Sequence, residues 1–164
     1  NIDNPKLNCR LKNLQKYSPR RIILDNNLKT KLNSYIFKTA NKNNTIFFYN
    51  NANKSKISIF KKKGILLVKS SLDKKKYFNL RVILKKLYIL GCRNLLIEGG
   101  NDLSKSFIKK RLFNEFYLFK STKKLPKIGD YTKFNFFKSL SQNYKNKSKI
   151  NTKLGKDSIS LYNR

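Results

Sequence analysis

Residues 95–102 combine residue types that can bind an anion. An apolar run, Leu95–Ile97, ends at Glu98, and Gly99 and Gly100 then let the backbone turn tightly into a helix. The first N–H groups of a helix have no partner within it, and with the helix dipole they favour a negative charge. Open parallel sheets bind ligands at the carboxyl ends of their strands, where this turn would lie. Turn formation alone also accounts for two glycines, but Glu98 is one of only two Glu in a Lys-rich chain and no structural need places it there.

A second segment, Asp3–Arg10, also contains residue types that could bind a ligand. It begins with the turn sequence Asp-Asn-Pro. Proline disfavours helical conformations of the residue before it, so Asn4 is predicted to be extended. Arg10 is one of few Arg in this chain, and Arg is the side chain that binds a phosphate through a planar pair of N–H groups. A phosphate contact is one interpretation of Arg10, and an ordinary surface position is the other.

The residue types and motifs that the sequence lacks exclude several kinds of chemistry. The chain has no His, which excludes Ser-His and Cys-His nucleophile pairs, His bases and His metal ligands. Its two Cys, Cys9 and Cys92, form no C-x-x-C pattern, so neither a metal site nor a disulfide scaffold is predicted. The phosphate-binding patterns G-x-G-x-x-G and G-x-x-x-x-G-K-[ST] are also absent, so any nucleotide would be bound by a different scheme. No apolar stretch is long enough for a membrane span, and we predict a soluble cytoplasmic protein.

The charge of the chain raises the question of a nucleic-acid partner. Its 164 residues carry 39 Lys and Arg against 8 Asp and Glu, a formal net charge of +31. The Lys runs are scattered rather than gathered into one arm, and specific readers of nucleic acids rely on Arg. We therefore predict no specific nucleic-acid partner and keep a basic RNA-binding module as an alternative function. The length fits a single domain, residues 1–164.

Apolar patterns of strand and helix alternate along the chain, which predicts an α/β fold with a largely parallel sheet flanked by helices. The predicted strands are Arg21–Asp25, Thr45–Tyr49, Ile65–Val68, Leu95–Ile97, Phe116–Phe119 and an edge strand, Ser158–Tyr162. The predicted helices are Lys54–Lys63, Leu80–Leu90 with Gly91 as its left-handed cap, and Asp102–Leu112. Residues 139–149 contain few apolar side chains and are predicted to form a loop.

Three segments, in this order and spacing, resemble one known family. They are "DNPKLNCR", "RIILD" and "LLIEGGNDLSKSFIKKRLFNEFYLF". They are similar to the reductase domain of the bifunctional riboflavin-biosynthesis deaminase/reductase, through residue 120 and more weakly to the last strand, "KLGKDSISLY". The resemblance implies a dihydrofolate-reductase-like fold. It also implies NADPH-dependent reduction of the ribose of 5-amino-6-(5-phosphoribosylamino)uracil to a ribityl chain.

The resemblance also assigns site residues. Leu7, Arg10 and Glu98 would contact the phosphoribosylaminopyrimidine substrate. Asp3 and Asn26 would contact the NADPH cofactor, with Asn26 standing where the family often has Ser. The turn and helix start after Glu98 would bind the cofactor phosphates, in agreement with the anion site argued above; its residues are Gly99, Gly100, Asn101, Asp102, Leu103, Ser104, Lys105 and Ser106. No metal ligand is expected and no catalytic side chain is identified, because hydride transfer needs positioned reactants rather than a nucleophile.

The sequence departs from the family pattern in two ways. The family's reductase domain has further residues before the Asp-Asn-Pro motif, including its first strand, so we expect a fragment that lacks this strand and binds its ligands poorly. The zinc motifs of the deaminase domain, His-x-Glu and Pro-Cys-x-x-Cys, are absent, so no deamination is expected. A dihydrofolate-reductase-like enzyme acting on a pterin is a further alternative. The resemblance also implies a homodimer.

Overall fold

The computed structural model describes residues 4–123, 136–152 and 155–163. The chain divides into two units, Asn1–Gly91 and Cys92–Arg164. Each unit contains its own three-stranded sheet. In the described part of the chain, no helix has both the length and the apolar character needed to cross a membrane.

The first unit is built on a parallel sheet whose strands lie in chain order. The strands are β1 (Arg21–Leu24), β2 (Thr45–Tyr49) and β3 (Leu66–Lys69), and the helices are α1 (Tyr35–Thr39), α2 (Lys54–Lys62) and α3 (Leu80–Ile89). A short 3-10 turn, Gln15–Tyr17, precedes β1. In the register of the sheet, Leu24 lies opposite Phe48 and Tyr49 lies opposite Lys69. All three strands therefore direct their carboxyl ends to the same edge.

The core of the first unit centres on β2, in which four consecutive residues are buried. One cluster consists of Leu28, Ile36, Phe37, Ala40, Phe47, Phe60 and Ile65. Within it the Phe60 ring lies edge-on to Phe37 and Phe47, with ring centroids 4.9 and 5.1 Å apart. Edge-on aromatic pairs add to the stabilisation that burial of their surface provides. Leu7 packs against this cluster, so the core also fixes a residue of the amino-terminal segment.

Helix α3 follows the predicted pattern. Its buried residues, Leu80, Ile83 and Leu87, form one stripe. The Asn79 side chain caps its start, and Gly91 has a φ of +86° just after its end, as expected of a left-handed cap.

The second unit contains an antiparallel sheet. Its strands are β4 (Glu115–Lys120), β5 (Asn146–Ile150) and β6 (Ser158–Asn163), with β6 in the centre, and its helices are α4 (Asn101–Lys109) and α5 (Phe137–Asn143). Leu140 and Tyr144 pack with Tyr162 of β6. The Phe113 ring is stacked on that of Tyr144, with centroids 4.2 Å apart. Aromatic stacking thus joins the end of α5 to the segment that leads into β4.

The mixed α/β class is confirmed, but details of the second unit differ from prediction. Its sheet is antiparallel, and the strand beginning at Ser158 is central rather than at an edge. Residues 139–149 contain most of α5 and the start of β5, not a loop. The buried side chains of this segment are Leu140 and Tyr144, and backbone pairing with β6 holds β5 in the sheet. So few apolar residues give no clear periodicity.

The prediction of a strand at Leu95–Ile97 is wrong. The segment has no regular secondary structure, and the Leu96 side chain is 79% exposed. An apolar run indicates a tendency to form a strand, but a strand exists only where a neighbour pairs with it. No described strand pairs with this segment.

Arg21, at the start of β1, is 6% exposed and is bound by neutral acceptors. Its Nε donates to Thr45 Oγ1 (3.1 Å) and its Nη1 donates to Thr39 Oγ1 (2.8 Å). Its Nη2 donates to the Thr39 carbonyl oxygen (3.1 Å) and to Asn44 Oδ1 (3.2 Å). Burial lowers the pKa of this guanidinium, and Tyr35 acts in the opposite direction. The planar donors of Arg therefore join β1 to the end of α1 and the start of β2.

Replacing Arg21 by Lys should lower the free energy of unfolding by about 2–3 kcal/mol, because one ammonium cannot reach all the acceptors. Urea unfolding followed by circular dichroism measures the change. Arg20→Lys is the matched control, since exposed Arg20 donates one hydrogen bond, to the Leu90 carbonyl oxygen. Its expected change is within about 0.5 kcal/mol. Equal losses of unfolding free energy in the two variants would contradict the stabilising role of the Arg21 hydrogen bonds.

Asp157 joins the end of β4 to the start of β6. Its Oδ1 accepts from the Thr122 N–H and the Ser121 hydroxyl, both at 3.0 Å. These hydrogen bonds, led by that of Thr122, lower the pKa of the carboxyl group.

Because the folded pKa of Asp157 lies below the unfolded one, this contact stabilises the second unit above the ordinary carboxyl pKa of about 3.9. The stabilisation is lost as the pH falls through the folded pKa. Asp157→Asn should therefore flatten the acid limb of a plot of unfolding midpoint against pH. An unchanged acid limb would show that other carboxyl groups determine it.

Candidate functional site

The amino-terminal segment Asn4–Arg10 has an unusual backbone. Asn4 has a φ of +40° and Leu7 a φ of +49°, so both lie in the left-handed region. The predicted extended conformation of Asn4 is therefore wrong. Asn tolerates a positive φ better than most residues, and here its Oδ1 accepts a hydrogen bond from the Tyr35 N–H at 2.8 Å. A contact distant in sequence overrides the local effect of the following proline.

The two substrate-contact candidates in this segment have different surroundings. Leu7 is half-buried and packs against the core of the first unit. Arg10 is exposed. Its guanidinium is thus open to an anion, while Leu7 fixes the chain three residues earlier. Asp3, the cofactor candidate, lies outside the described residues.

A cavity of about 280 Å³ lies beside this segment. Asn4, Ile23, Lys31 and Ser34 are among the residues that line it. The Ser34 hydroxyl oxygen accepts from the Phe37 N–H at the start of α1, and its O–H can still donate. The exposed Lys31 gives the cavity a positive charge. The cavity can therefore admit a small polar or anionic group.

The loop that follows β1 is fixed by its own carboxylate. Asp25 Oδ1 accepts from the Lys29 N–H at 2.8 Å, and Asp25 Oδ2 accepts from the N–H and the hydroxyl of Thr30 at 2.7 Å. The Asn26 carbonyl oxygen accepts from the N–H groups of Asn50 and Asn51. The cofactor candidate Asn26 is thus held in a rigid loop at the carboxyl edge of the sheet.

Asn26 also has an unused hydrogen-bonding group. Its Oδ1 is buried and has no partner. A buried polar atom without a partner is unfavourable, so a ligand that supplies a donor there gains a hydrogen bond and relieves that cost. This is an observation that fits a cofactor contact at Asn26.

Two further polar residues share the level of Asn26. Continuation of the strand register places Asn50 beside Asn26 and Ser70 beside Asn50. Asn50 Nδ2 donates to the Ser70 carbonyl oxygen at 3.0 Å. Ser70 is 3% exposed and its hydroxyl has no partner. Neither Asn50 nor Ser70 was predicted from the sequence. Asn50 directly follows the predicted strand Thr45–Tyr49, which was an available signal, whereas Ser70 lies two residues beyond the predicted strand Ile65–Val68.

The anion-binding candidate of the second unit is the start of α4. Gly100 caps the helix with φ −66° and ψ 175°, an extended conformation typical of this position, and as a glycine it provides no side-chain cap hydrogen bond. Glu98 is exposed, two residues earlier. The helix start therefore presents backbone donors that a ligand anion can use.

The two glycines of this turn have different requirements. A Cβ on Gly99 would lie 2.9 Å from the Leu103 Cβ and 2.6 Å from the Leu103 Cδ2, which is too close for any side chain. A Cβ on Gly100 would meet nothing within 4 Å. Gly99 is thus needed for packing, whereas at Gly100 a side chain would occupy open space in front of the helix.

The other candidates in this helix are mostly occupied. The Ser106 hydroxyl donates to the Asp102 carbonyl oxygen at 2.8 Å, and Lys105 Nζ lies 5.0 Å from the centroid of the Phe136 ring. The Asp102 carboxylate interacts favourably with the helix dipole but would repel a phosphate. Leu103 and Ser104 are half-buried. Backbone N–H groups, rather than these side chains, are the groups suited to an anion.

The candidates are divided between the two units. Leu7, Arg10 and Asn26 belong to the first unit, and Glu98 and residues 99–106 belong to the second. Within the described residues, no three side chains of Cys, Asp or Glu lie together as metal ligands. The first unit offers an exposed guanidinium and an unpaired amide oxygen, and the second offers an exposed carboxylate and a helix start; each of these groups can bind a polar or charged ligand.

Comparison with known proteins identifies the family. A family model described as the RibD C-terminal domain matches residues 1–127, and the chain belongs to this family. The riboflavin biosynthesis protein RibD of Aquifex aeolicus (strain VF5) is 31% identical over 167 residues, which cover 99% of this chain and 43% of that protein. That of Actinobacillus pleuropneumoniae is 30% identical over 118 residues, which cover 71% of this chain and 30% of that protein. The chain thus spans less than half the length of these relatives.

A solved structure supports the same fold. Acinetobacter baumannii RibD, form 2, has a TM-score of 0.64 and 19% identity, over 99% of this chain and 43% of that one. At this identity the likeness concerns the fold, and it confirms the dihydrofolate-reductase-like fold expected from the sequence.

The glycine pair gives a test of the site's construction. Gly100→Ser should raise the free energy of unfolding by a few tenths of a kcal/mol, roughly 0.3, because Ser caps a helix better than Gly does. Gly99→Ser should lower it by about 1–3 kcal/mol, because the new side chain overlaps Leu103. Urea unfolding of both variants makes the comparison. Similar losses for both would contradict the open position of Gly100.

Proposed function

We propose that this chain performs the reductase step of riboflavin biosynthesis. In that step NADPH reduces the ribose of 5-amino-6-(5-phosphoribosylamino)uracil to the ribitylamino product. The supporting observation is the match to the RibD C-terminal domain over residues 1–127, which includes both the amino-terminal motif and the start of α4. The match gives no support to an RNA-binding module or to a pterin-reducing enzyme.

The residues present fit a nicotinamide cofactor. Asn26 has a buried amide oxygen that lacks a donor, and Gly100 leaves open space before a helix without a side-chain cap. We assign the cofactor phosphates to the N–H groups that begin α4 and a further cofactor contact to Asn26. When bound, NADPH supplies a hydride. Asp102 would contribute its N–H rather than its carboxylate.

Arg10 and Leu7 divide the binding of the substrate. The exposed Arg10 guanidinium can hold the substrate phosphate through two parallel hydrogen bonds. Leu7 packs against the core and keeps this part of the chain in place. The phosphate would therefore be fixed by a charge whose backbone is anchored three residues away.

Glu98 is suited to a different task. Its exposed carboxylate can accept hydrogen bonds from hydroxyl groups of the sugar. Such contacts orient the sugar carbon that is reduced, and orientation can supply much of the rate of a transfer between two bound reactants. In this mechanism the side chains bind and orient, and none forms a covalent bond with the substrate. NADPH as the cofactor, the homodimer and the cytoplasmic location stay predictions.

Arg10→Lys tests the assignment of the phosphate. Lys keeps the positive charge but loses the bidentate geometry, so the KM for the substrate should rise about ten- to hundredfold while the affinity for NADPH hardly changes. Glu98→Gln should lower kcat more than it raises KM. Both constants are measured from steady-state oxidation of NADPH by the full-length protein, followed at 340 nm. Salt at about 0.15 M limits non-specific attraction of anions to so basic a protein.

Gly100→Ser is the matched variant for the cofactor side. Its hydroxyl would take the N–H groups assigned to the phosphates, so it should weaken NADPH binding and leave the KM for the substrate nearly unchanged. Equal losses of substrate and cofactor binding in Arg10→Lys would contradict the division of roles. Failure of the full-length protein to bind either ligand would contradict the proposed function itself.

A further inference from the structure

Tyr35, the first residue of α1, contacts the amino-terminal segment at several points. Its N–H donates to Asn4 Oδ1 at 2.8 Å, and its hydroxyl oxygen accepts from Asn8 Nδ2 at 3.2 Å. Lys6 Nζ lies 5.7 Å from the centroid of its ring, as in a cation–π contact. One residue from a distant part of the sequence thus contacts three residues of this segment.

The segment needs such an anchor because its backbone is strained. Asn4 and Leu7 both have positive φ, and the left-handed conformation is unfavourable for a residue such as Leu because its Cβ lies too close to the following carbonyl oxygen. Strain of this kind persists only where surrounding contacts impose it, and it is concentrated at functional sites. Here the imposing contacts are the packing of Leu7 on the core and the hydrogen bonds of Tyr35.

The Asn8 amide makes the Tyr35 hydroxyl important. Asn8 Oδ1 is buried and has no partner, so the contact of Asn8 Nδ2 with Tyr35 is the hydrogen bond that the described structure gives this side chain. Exchanging the two amide atoms would leave the other atom unpaired, so either assignment depends on the same hydroxyl. Without it, both ends of a part-buried amide would lack partners. The segment would then have to move to hydrate them.

We propose that Tyr35 is a positioning residue: its hydroxyl, acting through Asn8, holds the amino-terminal segment in its left-handed conformation and so sets the position of Arg10. Asn8 lies between the two substrate candidates, one residue after Leu7 and two before Arg10. Movement of Asn8 therefore displaces the guanidinium assigned to the substrate phosphate. This inference rests on the proposed function.

Tyr35→Phe isolates the role of the hydroxyl. The variant keeps the ring next to Lys6 and the N–H that binds Asn4, and it removes the hydrogen bond with Asn8. The KM for the phosphoribosylaminopyrimidine should rise about three- to tenfold, with kcat and NADPH affinity nearly unchanged. Tyr77→Phe is the matched control, since Tyr77 lies in the same unit, is 57% exposed and should change neither constant.

A double-mutant cycle shows whether Asn8 transmits the effect. Asn8→Ala should raise the same KM, and the double variant should be no worse than the more impaired single variant, since both remove one interaction. Additive effects, or equal losses of substrate and cofactor binding, would overturn the positioning role.

A measurement without substrate separates this inference from the proposed function. In the ¹⁵N-labelled chain, Tyr35→Phe should increase the hydrogen-exchange rates of the backbone amides of residues 7–10, whereas Tyr77→Phe should not. This result is expected even if the chain reduces a different substrate. Unchanged exchange rates in Tyr35→Phe would overturn the inference, whatever the enzymatic result.

Discussion

The pairing of β1, β2 and β3 in one parallel sheet is the constraint on which the described site of the first unit depends. Because all three strands run the same way, the residues that follow them meet at one edge. Asn26, Asn50 and Ser70 lie there at one level, joined by hydrogen bonds of their backbones and of the Asn50 side chain. The buried strand β2 holds this edge in place, and the same core anchors Leu7.

The sequence predicted the features that local patterns determine. Strands β1 and β2, the buried stripe of α3 and the left-handed Gly91 were all found as expected, because each follows from residue types within one segment. The helix start after Gly100 was also predicted, because glycines before an amphipathic run are a local signal.

Features that depend on partners distant in the sequence were missed. The left-handed Leu7 and the hydrogen bonds of Tyr35 to Asn4 and Asn8 join segments about thirty residues apart, and no periodicity reports such contacts. Likewise, the apolar character of Leu95–Ile97 indicated a strand but could not show whether another strand would pair with it. Local composition gives the tendency of a segment, and tertiary contacts decide its conformation.

The hydrogen bonds of Asp25 and Asp157 have a consequence for the whole chain. Both carboxylates bind N–H and hydroxyl groups of nearby loops, and the chain has only 8 acidic residues for 39 basic ones. Most of its Lys and Arg therefore have no carboxylate available, and their mutual repulsion opposes the compact state. Dissolved anions have to screen that repulsion, so ionic strength becomes a component of this fold's stability.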